Sequence, residues 1–472
     1  MRAGVGIQAA MVGLAGVAIA TVPPIFTFYK QPDLAAGISP IAVATADLDG
    51  DGKIDLAGAN FDSDDISIFW GNGDGSFPAV SAGLAVGSAS IEASAALAIG
   101  DVNGDGQPDI VTANQAGNTV SVFLNLGERQ FAAAIETPSG TGPEDLVVAD
   151  FNGDQVSDIA TADLLDDTVT VLLGNNDGTF SPLSACSNQP AHLCRNNGDC
   201  VAGGSCLPKA VQVGTEPTAL AAADFNRDGK IDLAVANSAG GPSFAGSLMM
   251  LEGVGNGMFI VRPEIDSAGL DNPVDMAAGD LNDDGALDIV VVNEIGDSLS
   301  VFMGNGDLSV QNALPLYVSA GSMPEAVAID DFNGDRILDI ATSASFQDKV
   351  FVFAGSGSGA FAAPQEFALA ALATPFGLAT ADFNKDRKID LASANMQIGT
   401  VSLLLNATAG GCAYDCNGDG IVTVDEVLTM VNIALGNGAV SMCFAGDSNA
   451  DQQIRVDEIL AGVAKALMGC GV

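Results

Sequence analysis

Asp47-Leu48-Asp49-Gly50-Asp51-Gly52-Lys53-Ile54-Asp55 is the first of seven related nonapeptides in a chain of 472 residues. The others begin at Asp101, Asp150, Asp224, Asp280, Asp331 and Asp382, with successive spacings of 54, 49, 74, 56, 51 and 51 residues. Every copy places an oxygen-bearing side chain at positions 1, 3, 5 and 9. A period of about fifty residues signals a repeat architecture built from one supersecondary unit. Four closely spaced side-chain oxygens are a donor set suited to a hard cation such as Ca2+.

The candidate ligands follow loop by loop. The first loop offers Asp47, Asp49, Asp51 and Asp55; the second, Asp101, Asn103, Asp105 and Asp109; the third, Asp150, Asn152, Asp154 and Asp158. The fourth offers Asp224, Asn226, Asp228 and Asp232, and the fifth Asp280, Asn282, Asp284 and Asp288. Asp331, Asn333, Asp335 and Asp339 form the sixth set, and Asp382, Asn384, Asp386 and Asp390 the seventh. Gly eases the sharp turn at position 6 in four loops, whereas Gln155, Arg336 and Arg387 stand there in the other three, where weaker binding is expected.

Composition agrees with this reading. The formal net charge is −43, from 16 basic and 59 acidic residues. Such an excess argues against nucleic acid and anionic membrane surfaces as partners. It is also localised: 28 of the 59 acids fall at candidate metal positions, counting the C-terminal loops below. Hydrophobic content of 48% allows a large core.

Around each acidic loop the order of patterns is constant. A short apolar strand such as Ala326–Ile329 enters the loop, and a second such as Asp109–Ala113 follows at once. A polar turn leads to a third, alternating strand such as Thr119–Leu124. A Gly/Asn turn follows, as in Asn72-Gly73-Asp74-Gly75-Ser76-Phe77, with its Phe expected to open a fourth strand. Four antiparallel strands repeated seven times predict a mainly β fold, a seven-bladed β-propeller of four-stranded blades. The seventh unit stops at Asn406 without an outer strand, so Ile25–Tyr29 is expected to supply it from the other end of the chain.

These units resemble the FG-GAP or VCBS repeats of integrin-α-like propellers over residues 25–408. The resemblance implies that each acidic loop is the hairpin between the first two strands of a blade. It also implies Ca2+ held by side chains at positions 1, 3, 5 and 9 and by the position 7 carbonyl, for example that of Gln107 or Lys230. Mutual repulsion of the carboxylates would then be relieved by the ion, giving it a structural role.

Two further segments depart from the repeat. Residues 184–208 lengthen the third interval and contain Cys186, Cys194, Cys200 and Cys206, together with the only histidine, His192. A stapled excursion on the rim is expected, as a plain surface loop or as a contact module. Disulfides are favoured over a zinc site because neither cysteine group has paired C-x2-C spacing. The second segment, 412–470, contains Cys412, Cys416, Cys443 and Cys470 and two loops of EF type. The first offers Asp415, Asn417, Asp419, the Ile421 carbonyl, Thr423 directly or through water, and Glu426. The second offers Asp447, Asn449, Asp451, the Gln453 carbonyl and Glu458. With one site per loop, about nine Ca2+ would bring the charge from −43 to −25.

Amphipathic helices are expected after each loop, on Val427, Leu428, Val431, Ala434 and Leu435, and on Ile459, Leu460, Val463 and Leu467. The pair resembles a type I dockerin, an α-helical EF-hand-like module that implies a cohesin partner. Glu426 and Glu458 replace the Asp usual at the last loop position. The expectation therefore divides between a cohesin partner and a compact Ca2+-folded module with none.

At the N-terminus, Arg2 precedes an apolar run, Ala9–Ala20, ending in Ala18-Ile19-Ala20. This fits a secretory signal over 1–20 with a small-residue cleavage site, the alternative being an uncleaved anchor. No P-loop, zinc-protease or nucleophile-elbow motif appears, and one histidine leaves little basis for a catalytic triad. One Trp and three Tyr give few platforms for sugar rings. The favoured class is a secreted or cell-surface, non-catalytic Ca2+-binding protein that contacts an extracellular protein or glycan. A lectin-like binder or a polysaccharide-degrading enzyme is the alternative.

Overall fold

The computed structural model describes residues 26–78, 83–86, 94–194, 200, 205–238, 246–265, 269–408, 422–435, 453–456, 459–460 and 462–463. The first sheet takes its four strands in chain order, Pro40–Ala46, Asp55–Asn60, Asp65–Phe69 and Leu84–Ala85, each antiparallel to the next. The same order recurs in sheets that begin at Ser94, Pro143, Pro217, Pro273, Pro324 and Pro375. The first strands of successive sheets lie side by side, and the series closes where Pro375–Ala381 meets Pro40–Ala46. The result is a β-propeller-like fold of antiparallel four-stranded sheets.

Each second strand is six residues long and buried along its whole length, as in Asp288-Ile289-Val290-Val291-Val292-Asn293. It lies between two strands of its own sheet, and neighbouring sheets cover both faces. Such a strand reads as a continuous apolar or small-residue run rather than an alternation. First strands are built of small residues, as in Pro40-Ile41-Ala42-Val43-Ala44-Thr45-Ala46, which suit the crowded centre.

The sheet beginning at Pro375 has only three strands from its own repeat. Phe28–Lys30 supplies the fourth, pairing Phe28 with Asn406 and Lys30 with Leu404, and Leu34–Ala35 pairs further along the same strand. The displaced outer strand expected from the sequence is therefore present, shifted toward Lys30 and broken in two. Ile25, where it was expected to begin, lies outside the described residues.

The fourth strands differ from the expectation. Phe180 and Phe259 do open fourth strands, Phe180–Pro182 and Phe259–Val261. Phe77, Phe131 and Phe361 instead lie ahead of theirs, which are Leu84–Ala85, Ile135–Pro138 and Gln365–Ala368. The phenylalanine is recruited to the seam with the preceding sheet. Phe77 packs edge-on to Phe383, with ring centroids 5.9 Å apart, and Phe259 does the same to Phe151 at 5.7 Å.

The cysteine-rich insertion interrupts the outer strand of the Pro143 sheet. Phe180–Pro182 and Val211–Gln212 both pair with Thr168–Gly174, and a separate three-stranded sheet projects between them. Disulfides Cys186–Cys200 and Cys194–Cys206 hold it. His192 is exposed there.

In the C-terminal segment one helix, Val424–Ala434, is described. Its buried side is formed by Glu426, Met430 and Ile433, with Met430 and Ile433 packed against Ile454. Leu428 and Leu435, expected on the inner face, are exposed. The inward face repeats at positions three and four apart from Glu426, one step round the helix from the expected stripe. Among the described residues, no helix is long and apolar enough to cross a membrane. The signal segment 1–20 and Cys412, Cys416, Cys443 and Cys470 lie outside the described residues.

Removal of the N-terminal strands tests the closure. A chain starting after Ala35 exposes the edge of Thr400–Asn406, so its melting temperature should fall and its tendency to associate should rise. Calorimetry and light scattering check this; a melting curve matching that of the full chain would contradict it.

Candidate metal centre

All seven acidic loops are the hairpins between first and second strands. Within each, three side chains fold back on the loop backbone in one pattern. The position 1 carboxylate accepts the position 6 N–H at 2.7–2.8 Å. The position 3 side-chain oxygen accepts the position 5 N–H at 2.8–3.0 Å. The position 5 carboxylate accepts the position 7 N–H at 2.7–3.0 Å. Asp and Asn are the residues that make such short-range bonds to their own turn. The pattern survives without Gly at position 6: Gln155, Arg336 and Arg387 adopt φ of 66°, 68° and 67° and still donate to position 1.

Position 9 has a different part. Asp55, Asp109, Asp158, Asp232, Asp288, Asp339 and Asp390 are all fully buried. One oxygen of each accepts the position 2 N–H at 2.8–3.1 Å. The other accepts an N–H at the end of the third strand at 2.7–2.9 Å. The carboxylate thus ties the hairpin to the strand beyond it. In five sheets the third-strand donor is Gly, because a Cβ there would stand 2.0–2.3 Å from the position 8 carbonyl oxygen, as at Gly71 and Gly253. Asn125 and Asn406 replace it in the other two. Asn125 donates through Nδ2 to the position 8 carbonyl of its own loop, Pro108, at 3.0 Å and to Leu48 of the preceding loop at 2.7 Å.

Position 2, always apolar, is the feature the sequence reading passed over. Leu48, Val102, Phe151, Phe225, Leu281, Phe332 and Phe383 are all buried. Each belongs to a cluster or ring pair with the residue that follows the Gly-rich turn of the next sheet. Val310 takes that place in the cluster of Phe225, and Phe28 of the N-terminal strand takes it against Phe332. A small residue would have made the pattern less visible, but a period search at position 2 would have found it.

Burial raises the position 9 carboxylates above their ordinary range, opposed by the two N–H bonds and reinforced by the neighbouring acids. Asp55 and Asp158 are pushed up to about 6, Asp339 to about 7 and Asp390 to about 8. Carboxylates held this way are poised for a cation. In the first loop, oxygens of Asp47, Asp49 and Asp55 lie within 4.8 Å of one another, and Asp47 Oδ1 is buried without a hydrogen-bond partner. Each carboxylate oxygen that accepts one N–H keeps a second lone pair for a metal. The donor set fits a hard cation.

Basic groups gather at the same end. Lys53 and Lys230, at position 7, pair with Asp51 and Asp228 at 2.6 and 3.0 Å. Arg129 reaches from the next sheet to Asp49 at 2.7 Å while lying 5.0 Å over the ring of Trp70. The first loop alone has Asp at position 3, and this arginine offsets the added charge. The pairing was not legible in the sequence, since Arg129 and Asp49 are 80 residues apart.

Of the C-terminal candidates, Thr423 and Glu426 come together as a capping box, with the Thr423 N–H and hydroxyl both donating to Glu426 Oε2 at 2.6 and 2.9 Å. Gln453 accepts from Arg455 through its side chain at 3.4 Å. Asp415, Asn417, Asp419, Ile421, Asp447, Asn449, Asp451 and Glu458 lie outside the described residues.

Six overlapping matches to the model of the FG-GAP-like repeat cover residues 47–112, 101–161, 150–235, 224–291, 280–342 and 331–393. The chain belongs to the FG-GAP-like repeat family. Each FG-GAP-like match begins at position 1 of an acidic loop and ends in or beside the second strand of the next sheet. The family unit therefore straddles two sheets and takes in the seam between them. A search of curated proteins finds no match. Among solved structures, the chain is similar to a streptogramin B lyase at 15% identity and TM-score 0.51, covering 80% of this chain and 98% of that one. It is similar to BBS1N in complex with ARL6DN at 14% identity and TM-score 0.53, covering 81% and 98%. Virginiamycin B lyase from Staphylococcus aureus matches at 12% identity and TM-score 0.50, covering 80% and 99%. These likenesses concern the fold alone.

Two outcomes test the site. Asp390→Ala strands the buried N–H groups of Phe383 and Asn406, and should cost roughly 2–5 kcal/mol in chemical denaturation. Asp390→Asn, which keeps an acceptor, should cost less, and equal losses would contradict the latch.

The second outcome concerns pH. Raised carboxylates bind more protons in the folded than in the unfolded chain. The stability they contribute is present below about pH 4 and is lost as pH rises through the values near 6 to 8. Metal-free protein should therefore melt higher at about pH 5 than at about pH 8. With Ca2+ present the slope should flatten without vanishing. Asp145 and Asp275, at about 7, and Glu325, at about 8, are raised by burial away from the loops.

Proposed function

We propose that this protein is a non-catalytic Ca2+-binding repeat protein, secreted or displayed at the cell surface, that acts by contact with another macromolecule. The carrying observation is the first loop, where oxygens of three carboxylates converge within 4.8 Å and Asp47 Oδ1 is buried without a hydrogen-bond partner. The repetition of one hydrogen-bonding pattern through all seven loops supports extending that reading to the set. In this reading the fold is a closed seven-bladed propeller. Asp and Asn at positions 1, 3 and 5, with the position 9 aspartate, would hold each ion, and the C-terminal segment would be a dockerin-like Ca2+ module.

The ion's contribution would be charge neutralisation. It relieves the repulsion among loop carboxylates and stabilises the native chain by binding it in preference to the unfolded one. The two disulfides support an oxidising compartment. Loop carboxylates committed to an ion and to backbone N–H groups leave the acidic loops poorly suited to general acid–base work.

Chelation provides the test. At Ca2+ well above the dissociation constants, each occupied site adds about 2.7 kcal/mol per hundredfold excess. Excess EDTA should therefore lower the melting temperature by roughly 10 °C or more, and Ca2+ but not Mg2+ should restore it. Identical melting with EDTA and with Ca2+ would refute the proposal.

A further inference from the structure

The end of the propeller opposite the acidic loops has a different surface. It is formed by the turns between second and third strands and by the segments that lead into each first strand. Over the described residues of these turns and of the tripeptides before each first-strand Pro there is no Lys or Arg, whereas acids such as Asp62, Asp166, Asp271 and Glu294 recur. Lys349, which opens the third strand after one of these turns, is paired with Glu366 at 2.8 Å. The cations of the loops and of Arg129 lie at the other end.

Large apolar side chains are exposed on this acidic face at Leu165 of the Pro143 sheet and, more densely, along one arc. Ile295 and Phe346 occupy the same position of successive second-to-third turns, Leu372 lies in the next connection, and Ile38 in the one after Thr400–Asn406. Phe346 is 72% exposed, Ile38 63% and Leu372 60%, so among the described residues none has a partner that accounts for its place. Glu294 adjoins Ile295, and Glu325 accepts a hydrogen bond from Ser345, next to Phe346.

The arc also contains a cavity of about 740 Å³, lined by Ile38, Ser39, Thr374, Met396, Ile398 and Gly399 among others. Its origin is visible in the repeat. In the other described turns a left-handed Asp or Asn occupies the position of Gly399: Asp64, Asn118, Asp167, Asp297 and Asp348. Those at Asn118, Asp167, Asp297 and Asp348 accept N–H groups from the connection to the next sheet, as Asp348 does from Leu372 and Thr374 at 2.8 and 2.9 Å. Gly399 has no side chain to do this, and the cavity lies where that cap is missing.

We infer that the arc from Ile295 to Ile38 is a docking surface for a basic protein segment that seats an apolar side chain in the Gly399 cavity. Charge complementarity selects the partner. The face carries acids without cations, and Ca2+ in the opposite loops would leave it the more negative end of the molecule. Exposed apolar groups within that field suit lysine or arginine interspersed with large apolar residues, and do not suit an acidic or purely polar chain. The inference rests on the contact reading proposed above and names its surface and partner class.

The test uses the full chain with Ca2+ present. The probe is a synthetic peptide of alternating Lys and Leu, with Lys/Ser and Glu/Leu peptides as controls. Fluorescence anisotropy measures affinity, and hydrogen exchange locates the contact. The Lys/Leu peptide should bind more tightly than either control and protect residues 294–297, 345–348 and 372–374. Phe346→Ser with Leu372→Ser should weaken it by about tenfold or more. Ile38→Ser with Ile398→Ser, a second pair across the cavity, should do likewise, and Tyr317→Ser on an outer strand should not. Unchanged affinity in both pairs, equal binding of the Lys/Ser peptide, or protection confined to the acidic loops or outer strands would overturn the inference. So would self-association in sedimentation that the same substitutions abolish, which would make a second copy the occupant. The Ca2+-dependent shift in melting is recorded on the same samples. Its persistence when docking fails separates this inference from the ion reading, and its loss would count against the latter.

Discussion

The rest of the structure depends on one buried carboxylate per repeat. The position 9 aspartate stands at the start of the second strand and accepts N–H groups from the hairpin before it and from the end of the third strand after it. Three strands are thereby registered by a single side chain. A buried carboxylate is costly unless its oxygens are satisfied, and here both are. The cost that remains appears in the raised proton affinity of Asp339 and Asp390. It makes the loop a place where a cation would be stabilising.

The same nonapeptide also joins neighbouring sheets. While position 9 faces its own sheet, position 2 inserts an apolar side chain against the residue after the Gly-rich turn of the next. Phe332 against Phe28 and Phe383 against Phe77 continue this seam through the junction of the two chain ends. One short segment therefore sets the hairpin, the strand register and the packing between sheets, which explains why the family's repeat unit begins at it.

Much of the fold was legible because these demands fall on fixed positions. The spacing of Asp47, Asp101, Asp150 and their successors gave the repeat, and the missing outer strand after Asn406 pointed to the N-terminal segment that pairs there. Fourth-strand boundaries were less legible, because Phe77, Phe131 and Phe361 obey the seam rather than the strand. The helix at Val424–Ala434 was foreseen, but not its buried side, since apolar residues lie on two faces and only the contact with Ile454 selects one. At the candidate site, the loop donors could be read directly. Arg129 on Asp49 could not, because that pairing depends on how adjacent sheets are placed.

The division of the molecule into two ends follows from this arrangement. One end concentrates loop carboxylates together with most of the propeller's cations; the other carries acids and exposed apolar groups. Both ends of this arrangement depend on whether the loops hold ions. Equilibrium dialysis of the full chain against Ca2+, followed by elemental analysis, measures this directly. Between about seven and about nine bound ions per chain are expected. A stoichiometry of none or one at saturating Ca2+ would contradict this.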